Sequence, residues 1–280
     1  MEKKNNKSKF KSIIVGIICL IAAYFIPQSG LDTSTLGPII EAILQVTGQE
    51  TEGQPSEGTS TGVTSIPTQD SWLQTTEQPE LGYPDITLAD IPKYSGSPYV
   101  VMNDNNPYFD DKQCTIYSFE YYSELDELGR CGVTYACVGK DIMPTEDRES
   151  IGHVKPTGWQ STKYDVVDGK YLYNRCHLIG FQLTGENANK KNLITGTRSM
   201  NVDGMLPFEN MVADYVSETG NHVMYRVTPL YDKENLVATG VLMEAKSVED
   251  QGEGILFNVF VYNVQKGIVI DYATGESRLE

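Results

Sequence analysis

Histidine is scarce in this chain, with His153, His177 and His222 the only three in 280 residues. Proton-transfer chemistry near neutral pH therefore has few candidate side chains. The five cysteines contain no C-x-x-C pair, which excludes the common structural zinc sites. Basic residues are also short, 22 Lys and Arg against 38 Asp and Glu, for a formal charge of −16. Five of the lysines, Lys3, Lys4, Lys7, Lys9 and Lys11, precede the first apolar run, so the rest of the chain is more acidic still. Such a chain cannot coat a polyanion by bulk charge, and any chemistry on nucleic acid must rest on a few placed cations and a metal ion. No internal repeat is present.

Hydrophobic residues make up 40% of the chain and aromatics 10%, including 17 Tyr, enough for a packed core. The lysine-rich start leads into Ile13–Ile26 and Pro27, which reads as the n-region and h-region of a secretory signal. This apolar run is short of the roughly 20 residues of a spanning helix. Residues 1–27 are expected to export the chain, either as a cleaved signal or as a retained membrane anchor. Residues 28–84 read as a flexible linker, because the stretch 51–80 is rich in Thr, Ser, Gly, Pro, Glu and Gln. Within it, residues 38–46 place Ile39, Ile40, Ile43 and Leu44 on one helical face.

The folded part is expected over 85–280 as an α+β domain, an antiparallel sheet core with packed helices. Residues 221–231 and 255–264 read as strands, and 236–245 as a hairpin turning at Thr239-Gly240. Residues 207–216 carry Phe208, Met211, Val212, Tyr215 and Val216 at helical spacing, with Pro207 suited to the first turn and Gly220 to the stop. That helix is expected to pack on the sheet. For Cys131 and Cys137, a small-loop disulfide and buried free thiols are both open.

His153, in a Gly/Pro-bounded turn, and His222, near a strand start, read as solvent-exposed side chains. His177 differs in its company. If 171–177 is extended, Tyr171, Tyr173, Arg175 and His177 share one face, and Leu172, Asn174 and Cys176 the other. A cation and a titratable imidazole then point together. Downstream, 192–210 holds several amides, one Arg and few bulky charges, as a site holding a hydrated metal beside a phosphate requires. Mg²⁺ needs little more than one protein amide or carboxylate, a neutral His can take a proton from water, and Arg can pair with phosphate.

The run Y-N-R-C-H-L-I-G-F-Q-L-T-G-E-N, followed by K-N-L-I-T-G-T-R-S-M-N and G-M-L-P-F-E-N, resembles the core of the DNA/RNA non-specific endonuclease family. That family is of the ββα-metal or His-Me finger type, and the likeness is to its exported bacterial, DNA-entry nuclease-like branch. It spans about Asp85 to Tyr272 and is strongest from Tyr173 to Asn210. The family's hallmark is D-R-G-H, then N-x8-N, then a glutamate eight residues on. Here the first element is N-R-C-H at 174–177, Asn192 and Asn201 are nine apart, and Glu209 follows Asn201 by eight.

The resemblance implies that His177 is the general base, Asn201 the direct Mg²⁺ ligand and Glu209 the holder of metal-shell waters. Asn192 would support the site's geometry and Arg175 would contact phosphate. Arg148 is the candidate for a second phosphate-facing arginine, against a plain reading as a solvated surface residue. Asn174 and Cys176 depart from the hallmark's Asp and Gly, which touches support behind the histidine and the closeness of backbone packing. The implied activity is Mg²⁺-dependent hydrolysis of DNA, and of RNA, with Mn²⁺ able to substitute and 5′-phosphate ends left. The implied location is extracellular, secreted or tethered to the outer face of a bacterial cytoplasmic membrane. Two other readings compete: a catalytically inactive surface protein of the same fold binding extracellular DNA or a protein partner, and a toxin nuclease.

Overall fold

The computed structural model describes residues 85–280. The signal or anchor expected over 1–27, the linker over 28–84 and the helical face at 38–46 lie outside the described residues. Among the described residues no helix is long and apolar enough to cross a membrane.

The frame is a six-stranded antiparallel sheet made of β1 (Tyr99–Val101), β2 (Phe119–Tyr122), β3 (Thr134–Val138), β6 (Val223–Leu230), β7 (Gly240–Ser247) and β8 (Leu256–Tyr262). Its order is β1-β8-β7-β6-β3-β2. Two further strand pairs stand apart, β4 (Tyr173–His177) with β5 (Leu193–Thr197), and β9 (Ile268–Ile270) with β10 (Ser277–Leu279). The central strands are buried at almost every position, so both faces of the sheet are covered. Tyr225, Val227, Val241, Met243 and Val259 point into the main core. On the other face Met224 meets Tyr135 and Cys137, and Leu242 meets Phe260 and Tyr262.

That second face also holds an ion pair. Arg226 and Glu244 are register partners on β6 and β7, both fully buried. Arg226 Nε donates to Glu244 Oε2 at 2.7 Å and its Nη2 to Oε1 at 3.0 Å, while the Tyr108 amide donates to Oε1 at 2.7 Å. The added hydrogen bond satisfies the carboxylate and ties the 108 segment down over the sheet.

The helix expected over 207–216 runs from Leu206 to Thr219; a short helix, α1 (Phe181–Thr184), precedes it, and it is called α2 here. Pro207 occupies its first turn and Gly220, at φ 75°, ends it in the left-handed region that favours glycine. A π turn over Met200–Met205 leads into it without a break. Phe208, Val212 and Val216 bury its inner face in the main core, and at Gly204 a side chain would run into Val261 of β8.

The hairpin expected at Thr239-Gly240 is not there. Residues 231–239 connect β6 to β7, and Gly240 opens β7 opposite Tyr262. Any Cβ on Gly240 would strike the Val261 carbonyl and the Phe260 ring, so this glycine serves close packing rather than a turn. The four cysteines among the described residues are free thiols: Cys131 Sγ donates to the Lys190 and Leu193 carbonyls, and Cys137 Sγ to that of Thr115 at 3.0 Å. His153 is exposed as expected. His222 is not, since its ring is half-buried with Nδ1 2.7 Å from Glu249 Oε1.

Candidate active site

β4 and β5 pair antiparallel with Tyr173 opposite Thr197, Arg175 opposite Thr195 and His177 opposite Leu193. With α2 following, the chain runs in ββα order. Between this ribbon and α2 lies a cavity of about 780 Å³, and Arg148, Arg175, His177, Asn201 and Glu209 all line it. Tyr171 and Tyr173 line it too, so the face proposed from strand alternation forms a wall of the cavity. Asn174 also reaches it, contrary to that alternation.

His177 is 7% exposed. Its ring lies between two groups that fix the tautomer. The Asn187 carbonyl, 2.8 Å from Nε2, can only accept, so Nε2 carries the proton. The Arg148 guanidinium, with Nη2 3.4 Å from Nδ1, can only donate, so Nδ1 presents its lone pair. Burial pulls the imidazole pKa down to about 4, the adjacent Arg148 charge adds to this, and the Asn187 bond opposes it. The ring is neutral at physiological pH.

Glu209, on the first turns of α2, lies against Gly180. A Cβ added to Gly180 would stand 2.8 Å from Oε2. Burial pushes the Glu209 carboxyl up to about 8, with the Arg148 charge pulling the other way. Arg148, though exposed, thus stands beside both titratable groups.

Two of the expected site residues are engaged with the protein's own backbone. Asn192 is fully buried and does not line the cavity. Its Oδ1 accepts from the Ile179 amide at 2.8 Å and its Nδ2 donates to the Ile179 carbonyl at 2.9 Å. It therefore fixes the turn that follows His177 from behind the cavity wall. Arg175 is committed as well: Nε donates to the Val154 carbonyl, Nη2 to that of Gly152 at 2.7 Å, and the guanidinium stacks 3.9 Å from the Trp159 ring. It moors the 152–159 segment as a side of the cavity, leaving less of its fork for phosphate than expected. Cys176 points into the core beside Gly196, where a second side chain would collide with its sulfur. A glycine across the ribbon thus makes room for the thiol at 176, and burial raises that thiol's pKa well above its usual value.

Sequence reasoning did not single out Asn187, Trp159, Gly180 or Arg198. Asn187 acts through its backbone carbonyl, and any residue type supplies one. Trp159 reaches the cavity from a loop without periodicity.

An antiparallel α+β frame carrying a ββα ribbon, with a neutral imidazole, an arginine, an amide and a carboxyl around one cavity, defines an enzyme of the nuclease class. Residues 112–249 match the family model for DNA/RNA non-specific endonuclease. Similar solved structures include NucA from Streptococcus agalactiae with magnesium ion bound, 26% identical, at a TM-score of 0.59 over 67% of this chain and 89% of NucA. Sda1 nuclease with bound zinc ion is 27% identical, at a TM-score of 0.57 over 66% of this chain and 97% of Sda1. The protein is an endonuclease.

Proposed function

We propose that the chain is an exported, Mg²⁺-dependent endonuclease that hydrolyses DNA and RNA with little sequence preference and leaves 5′-phosphate ends. In this reading residues 1–27 direct export or anchor the chain in the membrane, 28–84 are a linker, and 85–280 are the nuclease domain. The observation that carries the catalytic part is the fixed tautomer of His177, with its proton spent on the Asn187 carbonyl and its lone pair turned toward Arg148.

The residues present fit a divalent cation of the hard, hydrated kind. Among the described residues no three His, Cys, Asp or Glu side chains are close enough to cage a metal. The cavity wall offers the Asn201 amide and the Glu209 carboxyl and has no sulfur. Sparse oxygen donors suit Mg²⁺, which keeps most of its water, and Mn²⁺ accepts the same donors. When bound, the ion supplies positive charge against the transition state and the departing 3′ oxygen.

His177 Nδ1 takes the proton of the attacking water, as a neutral base can. A phosphate oxygen is a stronger acceptor than an imidazole, so an incoming substrate draws Arg148 off Nδ1 and frees the lone pair. Arg148 then balances charge on a non-bridging oxygen. Asn192 and Gly180 keep His177 and Glu209 at their stations. Few of these contacts distinguish one base from another, which suits a lack of sequence preference.

The test is to incubate the full chain with plasmid DNA and with RNA, in chelator and with Mg²⁺ or Mn²⁺ restored, and to label the 5′ ends of the products. Cleavage of both polymers only with the cation, giving 5′-phosphates, is expected. Full activity in chelator, with no metal retained, would sink the one-metal reading.

A further inference from the structure

The cavity extends away from His177 along the ribbon to Tyr171 and Arg198, which no step above employs. Tyr171 is 47% exposed, and the Lys163 ammonium lies 4.4 Å from its ring centroid. Lys163 and Tyr171 pair as an antiparallel bridge, and the Arg198 amide donates to the Leu172 carbonyl at 2.8 Å. The Lys163–Tyr171 bridge and the helical turn that opens at Arg198 therefore bring a cation, an aromatic ring and a second cation to one end of the ribbon. Arg198 is steadied by Asp168, with Nη2 3.0 Å and Nε 3.3 Å from Oδ2. Asp168 is largely exposed, so this pair holds the guanidinium in position at little energetic cost to a competing anion.

We infer that this outer end of the cavity is a substrate subsite, in which Tyr171 stacks an unpaired base and Arg198 holds the adjoining phosphate, several nucleotides from the bond that is cut. The inference rests on the nuclease reading and gives it a binding element. A chain of net charge −16 gains nothing from bulk attraction to a polyanion and must hold it with placed groups. A stacking platform beside a cation is the sequence-tolerant means of doing so, because every base has a π face. Each of Trp159 and Tyr171 has a cation over one face, Arg175 and Lys163 respectively, but Tyr171 still keeps about half of its surface open. From Tyr171 to His177 the chain spans six residues, at most about 20 Å of extended backbone. A dodecamer reaches both points even at the roughly 3.4 Å rise of a B-form strand. Stacking on Tyr171 requires a base freed from its partner, so the subsite favours single strands over duplex.

The test uses the full chain carrying His177→Ala, in which cutting is slowed roughly 10²–10⁴-fold, and a fluorescein-labelled oligothymidylate dodecamer followed by anisotropy. Adding Tyr171→Ala should weaken binding of the single strand by roughly 5- to 150-fold, and that of a duplex of the same length much less. Tyr171→Phe should keep the affinity. Arg198→Gln should flatten the dependence of log K on log salt by about 0.7, the share of one phosphate on a single strand. Unchanged single-strand affinity in Tyr171→Ala, equal losses on single strand and duplex, or no dodecamer binding by the chain that retains Tyr171 would each overturn the subsite. A wild-type chain that binds the dodecamer through Tyr171 yet never cuts plasmid would overturn the nuclease reading alone and leave the subsite standing.

Discussion

His177→Ala removes the one imidazole of the cavity wall, and cleavage should fall roughly 10²–10⁴-fold, as for a lost general base. Added imidazole should recover part of the rate, since the vacated space still lies beside Arg148 and the Asn187 carbonyl. His153→Ala should leave turnover unchanged, while His222→Ala should touch stability through Glu249 and not rate. Wild-type turnover in His177→Ala is the result that would remove this residue from the chemistry. The environment of the ring also sets a pH profile. A base with pKa pulled down to about 4 by burial and Arg148 is neutral through the range where an ordinary histidine would be half protonated. The acid limb of kcat/KM should therefore fall near pH 4 rather than near the usual ~6.5. Arg148→Ala removes the adjacent charge, so it should move that limb upward as well as slow the reaction. An acid limb near 6.5 in the wild type, indifferent to Arg148, would contradict the buried position of the ring.

The ribbon and the helix that follows it set these residues in place through two small devices. Gly180 lets the Glu209 carboxyl lie against the backbone, and Gly180→Ala must push that carboxyl aside. The displaced group is the free end of a side chain, so the melting temperature should hardly change. Turnover should drop by up to about 10²-fold, as for an ångström of misplacement. Asn192→Ala should act in the opposite manner, through stability. It orphans a buried amide and a buried carbonyl of Ile179, each worth about 1–3 kcal/mol, and denaturant unfolding should show the loss. The spacing of His177, Asn192, Asn201 and Glu209 was legible in the sequence because all four lie on consecutive local elements, where intervals along the chain translate into positions. The helix ending at Gly220 was legible for the same reason. Trp159, Asn187 and Arg148's approach to Nδ1 depend on loops brought in from elsewhere, where neither period nor spacing carries information. Gly240 looked like a turn because a glycine needed for close packing and one needed for a bend are the same letter.

Across the whole molecule, the strained electrostatics of the site enter the folding equilibrium. The Glu209 carboxyl, at about 8 in the fold against 4.5 as a free side chain, favours the folded state while protonated. That contribution is complete below about pH 4.5 and is lost as pH rises through 8. The His177 contribution runs the other way, complete above about 6.5 and lost as pH falls through 4. Between pH 6.5 and 8 the slope therefore belongs to Glu209. In chelator the melting temperature should decline over that interval, and Glu209→Gln should abolish the decline. Mg²⁺ should raise the melting temperature more at pH 8 than at pH 5, because the ion and the proton compete for one carboxyl. A cation effect that is the same at both pH values would show that the ion is held elsewhere. The sheet's own layout has a kinetic meaning. Its edge strand β1 pairs with β8, joining residues about 160 positions apart, whereas β4, β5 and α2 lie within one short stretch. Closing so long a loop is entropically slow. A ribosome still making residues 240–255 holds a ribbon that can already form and a sheet that cannot, so the pace of folding is set by one distant strand and not by the segment that does the cutting.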